Sequence, residues 1–308
     1  MLKRTLFFSL RGHLRVENSQ LVYEAFKDGD KQKHSFPIED LGFIVIESTA
    51  ITITSHCLQA LAANNTAVTI CDSAHLPNAI LLPVQANTLT QKHTAAQAAA
   101  TDALKERLWK QTVQAKIENQ ARCLAAGSKD GADRLRRHIP MVKNGDPDNR
   151  EAVAAKEYFD FHSGGSFRRE RDGAMPNPAL NYGYAILRAG VARTLVGSGL
   201  SCVLGIHHSN QYNAFALADD IMEPYRPFVD DIVLNQPDIF PADATELTRD
   251  MKAQLLQVLT QDALLDKLTR PLLNAMSFTS ASLARCFLKE DKEIAYPLLP
   301  APCPPKQP

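Results

Sequence analysis

The side chains best suited to chemistry lie in one stretch, GIHHSNQYNAFALADDIMEPYRP, Gly205 to Pro227. Two adjacent histidines, His207 and His208, precede a helical segment that carries Asp219, Asp220 and Glu223. Residues three apart share a helix face, so Asp220 and Glu223 stack together. Phe215, Leu217, Ile221 and Met222 form the opposite, apolar face, and Asp219 is offset towards solvent. Pro224 stops or kinks the helix. Two stacked carboxylates repel by about 0.2–0.5 kcal/mol when exposed, and by more when desolvated. Two arrangements relieve that repulsion. Arg226 can complete a salt-bridged surface, or a divalent metal ion can sit between the acids with an imidazole beside it.

Two further stretches bear on the same question. In GDPDNREAVAAKEYFDF, Gly145 to Phe161, Asp148 and Glu151 have capping-box spacing, with Glu151 at the third helical position. Glu151 then either caps the helix or projects at its mouth. Ala152, Ala154 and Ala155 allow close packing there, and the helix N-terminus favours an anionic substrate. Tyr158 and Phe159 read as core anchors. In NPALNYGYAILRAGVAR, Asn177 to Arg193, the Asn, Tyr and Gly residues either tighten a helix contact or reach phosphate oxygens.

These residues must be positioned by an α+β fold: an N-terminal β-sandwich followed by a mainly α-helical catalytic domain. Strand patterns occupy Arg4–Leu10, His13–Glu17, Leu21–Phe26, Leu41–Glu47, Ala50–Thr54, Ala67–Cys71 and Asn78–Val84. Turn chemistry at Asn18-Ser19 and Asp28-Gly29-Asp30 separates the early ones, and one short helix spans Ser55–Asn65. From Thr94 to Ala126 runs a single breakerless helical pattern. Leu104, Leu108, Val113, Ile117 and Leu124 form its apolar side, with Lys105, Lys110, Lys116 and Arg122 on the wet side. Helical patterns resume at Arg150–Phe161, Leu180–Gly197, Ala214–Met222, Thr245–Leu259 and Ser277–Lys289. The expected division is a β-rich domain over 1–85, a linker over 86–100, a helical catalytic domain over 101–295, and a disordered proline-rich tail over 296–308.

Composition narrows the class. Hydrophobic residues make up 45% and charged residues 22%, a globular profile. No apolar run approaches the ~18 residues of a membrane span. The N-terminus lacks a signal-peptide pattern, so the chain is expected in the cytoplasm. Six unpaired cysteines (Cys57, Cys71, Cys123, Cys202, Cys286 and Cys303) read as reduced thiols rather than disulfides or a zinc site. The 34 basic and 34 acidic residues cancel, which taken alone weighs against a nucleic-acid partner. Local basic runs at Arg134–Lys143 and at Arg168, Arg169 and Arg171 permit a phosphate-binding groove all the same.

Taken in order, DPDNREAVAAKEYF, NPALNYGYAIL and GIHHSNQYNAFALADDIMEPYRP resemble the CRISPR-associated integrase family (the first-numbered CRISPR-associated protein), in its type II branch. KIENQ, Lys116 to Gln120, also fits, and together the pieces cover most of residues 116–234. The resemblance implies a metal site formed by Glu151, His208 and Glu223, which are also its catalytic residues. It places Asp220 one turn before Glu223 as a supporting or substrate-side acid, and puts His207 where the family tolerates other residues. Two carboxylates and one imidazole suit Mg²⁺ or Mn²⁺. The implied reaction inserts short DNA fragments into a CRISPR array by metal-assisted transesterification, with Arg168, Arg169 and Arg226 as backbone contacts. The implied partners are DNA, a second copy of the chain in a homodimer, and a small second adaptation protein. The alternatives are a free-standing metal-dependent nuclease and a non-catalytic DNA-binding scaffold. An iron or zinc hydrolase is disfavoured, because such sites take more His or Cys ligands.

Overall fold

The computed structural model describes residues 3–27, 30–125, 127–163, 169–170 and 173–301. Its N-terminal part holds two four-stranded sheets. Strands β1 (Arg4–Phe8), β2 (Gly12–Glu17), β3 (Gln20–Lys27), β4 (Asp30–Pro37), β5 (Leu41–Ile46) and β6 (Ile51–Ile53) precede helix α1 (Ser55–Ala63). Strands β7 (Ala67–Cys71) and β8 (Pro77–Leu81) follow it. The orders are β1-β5-β7-β8 and β4-β3-β2-β6. The β2–β3 hairpin turns through Asn18 and Ser19, whose φ angles of 48° and 59° suit the tight turn that a two-residue loop demands.

Strand β4 has no counterpart in the sequence reading. Its residues, DKQKHSFP, show no apolar alternation because β4 is an exposed edge strand. Lys31 and Lys33 reach across to Glu24 and Glu17, at 2.7 and 2.9 Å. Charged residues of this kind protect an edge from adventitious pairing.

Strand β5, LGFIVI, is buried along its whole length. Leu41, Ile44 and Ile46 join a core shared by the two sheets and α1, whereas Phe43 and Val45 pack into the helical core. A parallel strand covered on both faces reads as a continuous apolar run for this reason.

The helical part comprises α2 (Thr90–Ala98), α3 (Asp102–Leu124), α4 (Lys129–Arg136), α5 (Arg150–Ser163), α6 (Asn177–Gly197), α7 (Ala216–Met222), α8 (Arg226–Leu234) and α9 (Arg249–Leu256). A short hairpin, β9 (Asp262–Leu265) with β10 (Leu268–Pro271), leads to α10 (Leu272–Phe287). The α+β reading is borne out. None of the helices described is long and apolar enough to cross a membrane. Cys57, Cys71, Cys123, Cys202 and Cys286 are buried free thiols, and Cys303 lies outside the described residues.

Several expectations need correction. The pattern over Thr94–Ala126 is two helices, because α2 ends at Ala98 and Thr101 caps α3 by accepting from the Leu104 amide. No glycine or proline announces the break. Instead, α2 is tied to the loop after α6: Gln97 Nε2 donates to the carbonyls of Ser201 and Leu204 (3.0 and 2.7 Å). The β9–β10 hairpin lies between two of the expected helices, in a stretch that carries no strand signal of its own. Its leucine-rich DALLDKL resembles a helix, but Asp266 and Lys267 at φ 51° and 65° turn the chain back. Residues 296–301 are not a loose tail, since Leu298 pairs with Leu264 and Leu299 is tied to α3. The rest of the proline-rich segment lies outside the described residues.

Helix α6 is buried on nearly every side, which explains its apolar sequence. Gly183 lets it approach α8, and a Cβ there would overlap Val229 Cγ1. Gly183→Ala is expected to cost about 1–3 kcal/mol, read as a lowered urea midpoint at unchanged slope. A midpoint equal to wild type would mean that the two helices separate freely.

Candidate metal-binding site

Four chain segments converge beside α3. Helix α5 brings Glu151 in its first turn. Its N-terminus is capped by Asp146, not Asp148: the amides of Arg150 and Glu151 donate to Asp146 Oδ1 and Oδ2, both at 2.9 Å. Positive φ at Gly145, Asp146 and Asn149 folds the loop back far enough for this, while Asp148 pairs with Lys143 at 2.7 Å. Glu151 is thereby released from capping. One of its oxygens, Oε1, lies 2.6 Å from Lys116 Nζ.

Lys116 is the largest departure from the sequence reading, which placed it on the wet side of its helix. It is buried, and its ammonium also lies 2.6 Å from Glu223 Oε2. Burial disfavours the charge, yet Glu223 and Glu151 outweigh that and hold the lysine pKa above its ordinary value. Glu223 is buried too. Despite that desolvation, Arg226 and Lys116 keep its carboxyl below the ordinary range. Arg226 Nε lies 2.8 Å from Glu223 Oε1. These Glu223 contacts are ionic rather than directional, since neither Glu223 Oε2 nor Arg226 Nε completes a hydrogen bond.

His208 comes from the loop before α7. Asp220, wholly buried, accepts from the amides of Ile206, His207 and His208 and from His208 Nδ1, the last at 2.5 Å. Gly205 makes the tight loop possible, because a Cβ there would collide with the His208 carbonyl and stand 2.9 Å from Asp220 Oδ2. The Asp220 hydrogen bond raises the His208 pKa against the opposing effect of burial. With Nδ1 committed to Asp220, Nε2 is the ring atom left for another partner. His207 stacks face to face on Trp109 of α3, with ring centroids 4.1 Å apart and planes within 1°. His208 meets the same indole edge-on at 5.9 Å.

Around this centre lie two clefts. One, of about 380 Å³, is lined by His208, Glu223, Arg226, Arg188 and Arg169. The other, of about 700 Å³, is lined by Lys116, Lys156, Arg169, Arg226, Asp160 and Asp230. Tyr184 lies between them with the guanidiniums of Arg226 and Arg169 over its ring, at 4.5 and 5.3 Å. Asp230 is buried beneath, accepting from the hydroxyls of Tyr184 and Tyr158 (2.5 and 3.1 Å), and burial pushes its carboxyl up to about 6.

Asn177 and Asn181 serve as acceptors for Arg169, at 2.8 and 2.6 Å. Asp219 does not face solvent as expected. It forms a two-pronged pair with Arg188, at 2.6 and 2.5 Å. Arg168 lies outside the described residues.

Glu151 and Glu223 are thus brought to one nitrogen, and His208 shares a cleft with Glu223. Among the described residues, no three His, Cys, Asp or Glu side chains are already arranged to hold an ion. The donor chemistry nevertheless fits a hard divalent cation: two carboxylates already converge on a positive charge, and the buried Glu223 Oε2 retains unused acceptor capacity. The burial of Lys116 and the places of Trp109, Asp230 and Asp146 were missed by the sequence reading. KIENQ was the available signal, because Lys116, Asn119 and Gln120 share a helix face and all three are buried polar residues.

Asn119 braces the site from behind. Its side chain donates to the carbonyls of Pro224 and Pro297 (2.7 and 3.0 Å) and accepts from the Leu299 amide at 2.9 Å. Asn119→Ala is expected to cost about 3 kcal/mol, because three buried backbone groups lose their partner. Thermal unfolding would show this, and an unchanged melting temperature would rule it out.

Residues 6–268 match the family described as CRISPR associated protein Cas1. The chain belongs to the Cas1 family. A CRISPR-associated endonuclease Cas1 from Neisseria meningitidis serogroup C is 37% identical over 257 residues, covering 83% of each chain. A second relative, a Cas1 from Pyrobaculum aerophilum, is 26% identical over 267 residues, covering 82% of this chain and 89% of its own. Among solved structures, a casposase bound to integration product superposes with a TM-score of 0.74 at 18% identity, over 96% of this chain and 93% of that one. A Cas1 protein from Thermotoga maritima gives 0.71 at 16% identity, over 94% and 99%. At such identities these two structures establish a shared fold and no more.

Proposed function

We propose that this Cas1 chain, of the type II branch, is a metal-dependent DNA integrase and endonuclease that inserts short DNA fragments into a CRISPR array. The observation that carries the reading is the convergence of Glu151 and Glu223 on one cationic position beside His208, whose other ring nitrogen is anchored by Asp220. Glu151, His208 and Glu223 would hold Mg²⁺ or Mn²⁺. Bound there, the ion would supply Lewis-acid polarisation of a phosphodiester. Asp220 fixes the imidazole and Asn119 fixes the backbone beside Glu223. Arg226 and Arg169 offer guanidinium groups to phosphate oxygens. In the joining reaction a fragment 3′-hydroxyl forms a new P–O bond at the target phosphodiester. The original P–O3′ bond breaks, and the target strand leaves with its own 3′-hydroxyl.

The named activity of the Neisseria relative, an endonuclease, supports cleavage, and the casposase structure, bound to integration product, supports integration. The solved Cas6-RT-Cas1–Cas2 complexes support a small second adaptation protein as partner. We place the chain in the cytoplasm as a homodimer acting on DNA.

The test is incubation of purified chain with Mn²⁺, a labelled fragment and a repeat-containing plasmid. Label joined to plasmid, and abolished by chelation, is the expected result. Cleavage without joining would point to a free-standing nuclease, and neither product would overturn the reading. Trp109, the only tryptophan in the chain, reports metal arrival independently. Mn²⁺ is expected to quench its emission in wild type and not in His208→Ala. Equal quenching in both would remove His208 from the metal site.

A further inference from the structure

Lys116 occupies the position that the proposed chemistry requires for a different cation. Its ammonium lies 2.6 Å from an oxygen of Glu151 and 2.6 Å from an oxygen of Glu223, and both oxygens belong to the proposed metal ligands. A divalent ion taking those oxygens would meet a second positive charge at ion-pair range, where little water is present to screen the repulsion. The two cations compete for one pair of carboxylates. Lys116 also lines the cleft of about 700 Å³. In that cleft Lys116, Lys156, Arg169 and Arg226 outnumber Asp160 and Asp230, and the cationic surplus suits a phosphate.

We infer that Lys116 is a competitor for the metal built into the site, and that a DNA phosphate in the neighbouring cleft draws its ammonium away, so that metal and DNA bind with positive coupling. This rests on the metal-dependent reading above. Coupling is reciprocal, so the factor by which DNA tightens metal binding equals the factor by which metal tightens DNA binding. Without DNA the site holds its own counter-ion and takes metal weakly. With DNA the lysine gains a phosphate partner and the carboxylates are freed for the ion.

The experiment measures Mn²⁺ dissociation constants from the paramagnetic resonance of free Mn²⁺. Wild type, Lys116→Met, Lys116→Gln and Lys116→Arg are each titrated with and without a short duplex blocked at its 3′ ends. In wild type, DNA is expected to tighten Mn²⁺ binding about tenfold, within the usual range of coupled sites. In Lys116→Met and Lys116→Gln, Mn²⁺ should bind about tenfold tighter than in wild type without DNA, and DNA should add little. Lys116→Arg keeps the charge and the wild-type pattern. A purely structural lysine would give the opposite result, because its loss would weaken metal binding. Neutral variants that are folded by circular dichroism and bind Mn²⁺ no tighter than wild type overturn the inference alone. Absence of Mn²⁺ binding by every variant, with or without DNA, overturns the metal reading and the inference together.

Discussion

Glu223→Gln is expected to reduce fragment joining on the order of 10³-fold, the scale of several kcal/mol that a catalytic metal contributes. The substitution keeps the shape of the side chain and removes one charge. Glu223 is nearly inaccessible and bears ionic contacts from both Lys116 and Arg226. Neutralising it leaves Glu151 alone to balance Lys116 and takes from Arg226 its 2.8 Å partner. Breaking a buried ion pair from one side costs about 3–5 kcal/mol, and the part-exposed Arg226 places the expected loss at the lower end of that range. The measurement is a joining assay paired with thermal unfolding. Near-wild-type joining by the folded variant would remove Glu223 from the chemistry. A large loss of activity with intact secondary structure is the expected pairing.

Asp220→Asn is expected to be nearly as damaging, because the residue clamps the loop that carries His208. Its Oδ1 accepts from the His208 amide and from Nδ1, and its Oδ2 accepts from the amides of Ile206 and His207. An asparagine has one oxygen. Whichever way the amide turns, its NH₂ faces two N–H donors in a site with no solvent access. At about 1–3 kcal/mol for each buried group left unpaired, the loss is about 3 kcal/mol or more. The imidazole also loses its anchor, and removal of such supporting partners lowers metal affinity about 10–100-fold. Asp219→Asn is the control one residue away. It loses a partly exposed pair with Arg188 and is expected to cost about 0–1 kcal/mol. Equal melting temperatures and equal Mn²⁺ affinities for the two variants would refute the assignment of Asp220 as the clamp of the histidine loop.

Much of this architecture was legible in local pattern. The alternating strands, the apolar runs of β5 and α6, and the proline break after α7 follow from residue spacing alone, because each depends on neighbours a few positions away. The pieces missed were those decided by distant partners. Strand β4 carries no apolar signal, as its strand character comes from pairing with β3. The break between α2 and α3 depends on carbonyls more than a hundred residues away. Asp146 displaced Asp148 as the cap of α5 because positive φ angles bent the loop, and that is a matter of backbone geometry.

Sequence by itself determined the family and the α+β class, and it singled out the two acids and the histidine proposed to hold a cation. These rest on residue identity and on short-range order, which a linear chain displays directly. Only the tertiary structure decided that Lys116, in sequence an ordinary cation among others on its helix, would be buried against two acids 35 and 107 positions further along. Periodicity reports how a helix divides water from core. It is blind to a charge whose burial is offset by opposite charges that another part of the chain delivers.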